Sequence, residues 1–202
     1  MSAGDEELFA VVHRQRACRS FSDEPLDDDL IARVLDAATF APSAENRQPW
    51  EFVVVRDARV RAELGDLTAR AWDAGGREFA RHRLDEKLLA DVDAGATGGV
   101  AAAPVMIVVC ADTERGLVQT VPSSIFPATQ NLLLAATALG LGSALTTITT
   151  AFAAELTALL DLPERVVPVA IVPLGRPART LGPPRREPFA KHTHRERYGR
   201  AW

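Results

Sequence analysis

The chain is poor in lysine, cysteine, methionine and tyrosine, and it has no long apolar run. Among its 202 residues the only lysines are Lys87 and Lys191, so arginine supplies nearly all of the positive charge. The bias fits codon usage, and it also suits anion binding, because a guanidinium grips phosphate bidentately where an ammonium acts as a point charge. Cys18 and Cys110 sit in unlike settings, which indicates neither a disulfide framework nor a metal site and fits a reducing cytoplasm. No apolar stretch approaches the ~20 residues that cross a bilayer. The N-terminal "MSAGDEELFAVVHRQRACRSF" puts acid before a short apolar stretch and lacks the basic-then-apolar order of a secretory signal. A soluble, unexported, cytoplasmic protein is expected, with no membrane contact. The net charge of −4 gives no reason to expect nucleic acid as a partner.

Several chemical motifs are missing as well. There is no zinc-ligand spacing, no Walker loop and no dinucleotide fingerprint, since "GLG" at 140 to 142 follows a helical pattern where a phosphate loop would follow a strand. Ser43 and Ser143 lack a nucleophile-elbow context. His13, His82, His192 and His194 show no telling pairing with an acid. A hydrolase or a metalloenzyme is not indicated, and no side chain stands out as catalytic.

What is present reads as one core. With 47% hydrophobic and 25% charged residues the composition is that of a globular protein, and a single domain over 1–202 is expected, without repeats. Asp27 is placed to cap a helix over about 28 to 40. "FVVVRD" (52–57) reads as a buried strand, and "DARVRAELGDLTARAW" as a helix interrupted near Gly65. Residues 72–99 read as a lid or surface helix. "PVMIVVCAD" (104–112) predicts a central strand, because it is continuous, β-branched and bounded by Pro and Asp. The segment 123–142 is apolar nearly all round and predicts a buried helix stopped by Gly140 or Gly142. "SALTT" is a short strand, "FAAELTALLDL" a helix and "RVVPVAIVPLG" (165–175) a last strand. Beyond Gly175 the chain is rich in Pro, Arg and Gly with little periodicity. This segment, 176–202, makes no core of its own, so it is disordered, wraps another surface or lies on a second subunit.

Two arginine clusters draw attention. Arg14, Arg16 and Arg19 fall within "RQRACRSF", and Arg185 and Arg186 within "PPRREP". Each alone also reads as solvated surface charge. Together, in a chain of net negative charge, they suit convergence on one phosphate group.

The series Pro42-Ser43-x-x-Asn46-x-Gln48-Pro49-Trp50, followed at once by a β run, resembles the flavin-dependent nitroreductase family. Arg16-x-x-Arg19-x-Phe21 ahead of a helix, "GLGSALTT" after the buried helix and the Arg-containing, Pro-rich tail extend the resemblance over nearly the whole chain. The resemblance implies an α+β fold with a central, mainly antiparallel sheet flanked by helices, and a C-terminal arm that embraces a second subunit in a homodimer. It implies FMN bound at the subunit interface and NAD(P)H as donor. The implied reaction is ping-pong transfer of hydride through flavin N5 to a small electron-poor acceptor such as a nitroaromatic or a quinone. A narrower-purpose flavin enzyme, or a flavin store with little turnover, would share the same motifs.

Carried over by position, Pro42, Ser43, Ala44 and Asn46 meet the flavin from the neighbouring subunit, while Gln48, Pro49 and Trp50 hold the loop and pack the core. Arg14, Arg16 and Ala17 fall at the phosphate end. Arg19 falls toward the pyrimidine edge, where a fixed cation favours the reduced form. Leu145, Thr146 and Thr147 run along the ring, with a backbone N–H toward N5, and Arg185 and Arg186 return to the phosphate. Two positions depart from the pattern: Gln15 stands where the family often has Arg, which Arg14 is placed to offset, and Ala17 where it often has Ser.

Overall fold

The computed structural model describes residues 3–117 and 119–202; Met1 and Ser2, which open the N-terminal stretch read above, lie outside the described residues. Four strands, Trp50–Val55 (β1), Val105–Asp112 (β2), Gly142–Ser143 (β3) and Val166–Gly175 (β4), pair antiparallel in the order β1-β2-β4-β3. Helices cover both faces, as expected of the α+β class.

The continuous apolar run of β2 is explained by that double cover. Ile107, Val109 and Ala111 join the cluster formed with the helices Asp28–Thr39 (α2) and Val121–Ala138 (α6). The alternate residues Met106, Val108 and Cys110 join the cluster formed with Ala58–Ala71 (α3) and Ala153–Leu159 (α7). Successive side chains of a strand point to opposite faces, so both sets must be apolar. Opposite β2, the register slips between Val109 and Cys110, where Cys110 faces Pro168. Proline has no N–H for the ladder, and a slip is where a strand tolerates it.

Helix α6 ends as its sequence suggests: Gly140 adopts φ 73° just beyond it. Three expectations are corrected. Asp27 precedes α2, but its carboxylate makes no capping bond; its carbonyl accepts from Leu30 and Ile31 instead. Side-chain caps occur on other helices, as on α3, where Asp57 Oδ1 accepts from the N–H groups of Arg59 and Val60 at 3.0 Å each. Helix α3 also runs unbroken through Gly65, whose role is close packing, because a Cβ there would stand 2.5 Å from Ala101 Cβ. The chain breaks its helix later, at the wide turn Trp72–Gly76, where Gly75 has φ 153°.

From there Arg77–Arg81 (α4) and Glu86–Ala94 (α5) form a flap that ends in a second wide turn, Gly95–Gly99. Trp72 Nε1 donates to Asp93 Oδ1 at 2.8 Å and ties the two ends of the flap together. The third correction concerns "SALTT". Only Ser143 belongs to β3, and Thr146 makes a lone bridge to Ile171. The Thr146 hydroxyl then accepts from the Ile148 N–H at 3.3 Å and turns the chain into the short helix Ile148–Phe152. An N-terminal helix Ala3–Arg14 (α1), with Leu8, Phe9 and Val12 exposed, was not foreseen.

Two predictions follow from this packing. Gly65→Ala gains ~1 kcal/mol of helix propensity but overpacks against Ala101 at a cost of about 1–3 kcal/mol. The urea midpoint should therefore fall, and a rise would show that the α3 contact yields. Asp112, buried at the end of β2, is the second site. Burial alone would raise its pKa, but N–H donors of Glu114 and Arg115 and the guanidinium of Arg165, 3.3 Å away, hold it below the ordinary carboxylate range. A lowered folded pKa gives stability that is present above about pH 4 and is lost as pH falls through the folded value. Asp112→Ala should cost about 2–3 kcal/mol at neutral pH. The gap from the parent should close in urea titrations at progressively lower pH.

Candidate functional site

Residues 17–22 run as an extended wedge between β3 and the start of the C-terminal arm. Ala17 bridges Ser143, and the Cys18 N–H donates to the Ser143 carbonyl at 2.8 Å. On the other edge the Ser22 N–H donates to the Arg176 carbonyl at 2.9 Å, and the Ala178 N–H to the Ser20 carbonyl at 3.0 Å. In an extended chain an odd separation sends side chains to opposite faces. Arg16 and Arg19, three apart, accordingly line two different cavities.

The first cavity, of about 330 Å³, gathers Arg14 and Arg16 with Arg179 and Thr180 of the arm, and is floored by Thr137 and Gly142. No carboxylate lines it. Arg16 Nη1 donates to the Gly182 carbonyl at 2.9 Å and so pins the arm beside it. Three guanidiniums line it, and only Arg179 has a carboxylate near, Asp91 at 3.8 Å, so the cavity is suited to an anion. The second cavity, of about 180 Å³, lies between the flap and the end of β3. It is lined by Arg19, Val92, Gly95, Ala96 and Ala144 through Ile148. The N–H of Thr146 is already given to the Ile171 carbonyl at 2.9 Å, which leaves Leu145 and Thr147 as candidates for a backbone donor there. Between the two cavities sits Ser143, whose neighbours Gly142 and Ala144 line one each. Its hydroxyl is buried with no hydrogen-bond partner among the described residues.

The structure brings together Arg14, Arg16, Ala17, Arg19 and Leu145 through Thr147. It does not bring Arg185 and Arg186 to them: Arg186 Nη1 donates to the Arg185 carbonyl, and neither residue lines the anion pocket. Arg179 holds that place instead. Sequence reading passed over it as one arginine in a tail without periodicity; the available signal was its position four residues past Gly175, where β4 leaves the sheet beside β3.

The loop of Pro42, Ser43, Ala44 and Asn46 lies elsewhere. The Ala44 N–H donates to Ser124 Oγ at 3.2 Å, near the N-terminal end of α6, whereas the anion pocket stands at its C-terminal end. At 1.5 Å per residue the two are about 20 Å apart. Glu45, Asn46 and Gln48 all have positive φ, of 54°, 53° and 50°. Such backbone costs free energy and persists only where it is held. Ser43 Oγ holds it by accepting from the Gln48 N–H at 3.0 Å, and Asn46 Oδ1 by accepting from Gln48 Nε2 at 3.3 Å. Trp50 is buried in the core behind the loop, and Phe40 beside it is 79% exposed.

Other features carry no comparable chemistry. A depression of about 740 Å³ between α3 and α7 is lined by Arg59, Glu63, Asp66, Arg70 and Glu155, whose charges pair among themselves. Burial pushes the Cys110 thiol up to about 12 and raises that of Cys18 as well, so neither is a ready nucleophile. No helix among the described residues is long and apolar enough to cross a membrane.

The fold is α+β, with two cavities on either side of the wedge, one of them lined by three arginines. The chain belongs to the nitroreductase family, whose model matches residues 12–176, and it is an oxidoreductase. It is 31% identical to a Methanothermobacter thermautotrophicus protein provisionally named NADH dehydrogenase/NAD(P)H nitroreductase, over 87% of this chain and 80% of the relative. It is 32% identical to the 5,6-dimethylbenzimidazole synthase of Rhodospirillum rubrum, over 84% of this chain and 82% of the relative. A nitroreductase with bound FMN from Desulfitobacterium hafniense superposes with a TM-score of 0.74 at 28% identity, covering 94% and 98% of the two chains.

Ser43→Ala should remove the acceptor that holds the loop, at about 1 kcal/mol of stability. Hydrogen exchange at the Gln48 amide should quicken while the core amides keep their protection; unchanged protection at Gln48 would mean that the left-handed backbone is held by something else.

Proposed function

We propose that the chain is an FMN-dependent oxidoreductase that uses NAD(P)H to reduce small electron-poor acceptors such as nitroaromatics and quinones. The observation that carries this reading is the pair of cavities on either side of the wedge: a cluster of arginines suited to a phosphate, and a narrow slot with one arginine suited to a flavin ring. The unpartnered Ser143 hydroxyl between them fits a ligand that spans both. The FMN-bound relative supports the same assignment.

When bound, FMN would supply two-electron chemistry between donor and acceptor, and the protein would supply orientation and charge. Arg14, Arg16 and Arg179 would hold the phosphate. Arg19 would place positive charge at the end of the ring where reduction leaves negative charge. Leu145 or Thr147 would offer an N–H along the ring edge, and the flap would exclude water from that slot.

The loop 42–46 has no access to these cavities within one chain. Its separation along α6 and the exposed Phe40 support a homodimer in which Pro42, Ser43, Ala44 and Asn46 complete the partner's site, with the single domain 1–202 extending its arm over 176–202. The exposed apolar face of α1 supports the same assembly. Similarity to the dimethylbenzimidazole synthase supports a second reading, a flavin enzyme of narrower purpose with the same binding groups.

The first test is the visible absorbance of the purified protein, then anaerobic addition of NADPH and of NADH, then a quinone. Flavin bands that bleach with one donor and return with the quinone are expected; turnover no faster than that of free FMN would sink the reductase reading. Arg179→Ala should weaken FMN binding roughly tenfold to a hundredfold, as expected for ~1.5–3 kcal/mol in a charged hydrogen bond. An equal loss in Arg186→Ala by equilibrium dialysis would bring the second cluster back into the site. Light scattering that gives a monomer would remove the shared site.

A further inference from the structure

Asp91 stands on α5 inside the flap, and its two oxygens meet arginines from two other segments. Oδ2 accepts from Arg19 Nη1 at 2.7 Å, and Oδ1 lies 3.8 Å from Arg179 Nη2. Arg19 lines the narrow slot and Arg179 lines the anion pocket, so one carboxylate is shared between the two halves of the site. The side chains of Arg19 and Asp91 are 22% and 36% exposed, which leaves their attraction only partly screened.

The stem and backbone of Arg19 are held without Asp91, which meets only the guanidinium. Gly95 packs on its aliphatic stem, where a Cβ would stand 2.5 Å from Arg19 Cδ, and Gly99 lies directly against its carbonyl. Stem and backbone are walled in by the second turn of the flap. What Asp91 adds is charge, and with it a tether from the flap to the arm.

Resting on the FMN reading above, we infer that Asp91 is a positioning residue that acts through Arg19 and Arg179 and lowers the net charge of that pair from two positive units to one. That balance holds the flavin potential lower than the two arginines alone would. It also ties closure of the flap to the seating of the arm, because one carboxylate bridges both.

Asp91→Asn tests this, since the amide keeps the shape and one acceptor oxygen while removing the negative charge. In the FMN-loaded protein the two-electron equilibrium should shift toward reduction about tenfold, which is about 30 mV. FMN should also bind more tightly, and Asp91→Glu should return both quantities to parental values. A potential that stays or falls in Asp91→Asn at full flavin occupancy overturns the inference. A second readout needs no flavin. Phenylglyoxal labelling of Arg19 in the apoprotein, mapped by peptide mass spectrometry, should quicken several-fold in Asp91→Asn and not in Asp91→Glu. Equal labelling in all three proteins overturns the pairing itself. Failure of the parent to bind FMN would strike the cofactor reading, while the labelling would still decide whether Asp91 controls Arg19.

Discussion

Everything at the site depends on the hydrogen bonds that lock the wedge of residues 17–22 in place. Its backbone is bonded to Ser143 on one edge and to Arg176 and Ala178 on the other, so it has the rigidity of a sheet strand without being counted as one. Rigid backbone is what aims a long, flexible arginine, because the side-chain entropy is then the only freedom left to fix. The same lock explains the two glycines of the second flap turn. Gly99 lies against the Arg19 carbonyl and Gly95 against its stem, and side chains at either position would lift the flap from the wedge.

The sheet supplies the platform for that lock. Because β2 is buried on both faces, β4 is held against it along its length, and the departure point of the arm at Gly175 is fixed relative to β3. A Cβ at Gly175 would stand 2.6 Å from Pro104 Cδ and 3.0 Å from a ring carbon of Phe21. The Phe21 of the sequence motif therefore packs the wedge against the sheet edge, while Arg16 and Arg19 line the cavities on either side.

Much of this was legible in the sequence where one physical cause acted alone. The β2 run could be read because burial on both faces leaves no polar residue to interrupt it. The end of α6 could be read because Gly140 was needed for a positive φ. Reading failed where two causes compete. Gly65 looks like a helix breaker by propensity, yet contact with Ala101 outweighs propensity and the helix continues. "SALTT" has strand composition, yet the Thr146 hydroxyl bonds the backbone two residues on and turns it. Arg14, Arg16 and Arg19 could be named because they sit in one motif, and the three-residue spacing of the last two gives opposite faces once the segment is known to be extended. Arg179 left only the weak signal of its place just past Gly175, and Asp91 left none, since the pairing of a flap carboxylate with a tail arginine exists only in the folded chain.

The arm presents the same logic from the other side. Beyond Gly182 it carries Arg185, Arg186, Lys191, Arg195, Arg197 and Arg200 against Glu187 and Glu196, while the chain as a whole is net negative. It is organised by local contacts: the rings of Phe189 and Trp202 meet at 6.1 Å, Arg195 lies over Trp202 at 5.5 Å, and His194 stacks edge-on with Tyr198 at 4.4 Å. Those contacts bury little, for Tyr198 is 93% exposed. An arm that is basic, aromatic and preshaped loses less entropy on docking than a disordered one, and an acidic body attracts it. In the homodimer proposed above, the body of a second copy would offer such a surface, and with it the loop that one chain alone holds about 20 Å from its own anion pocket.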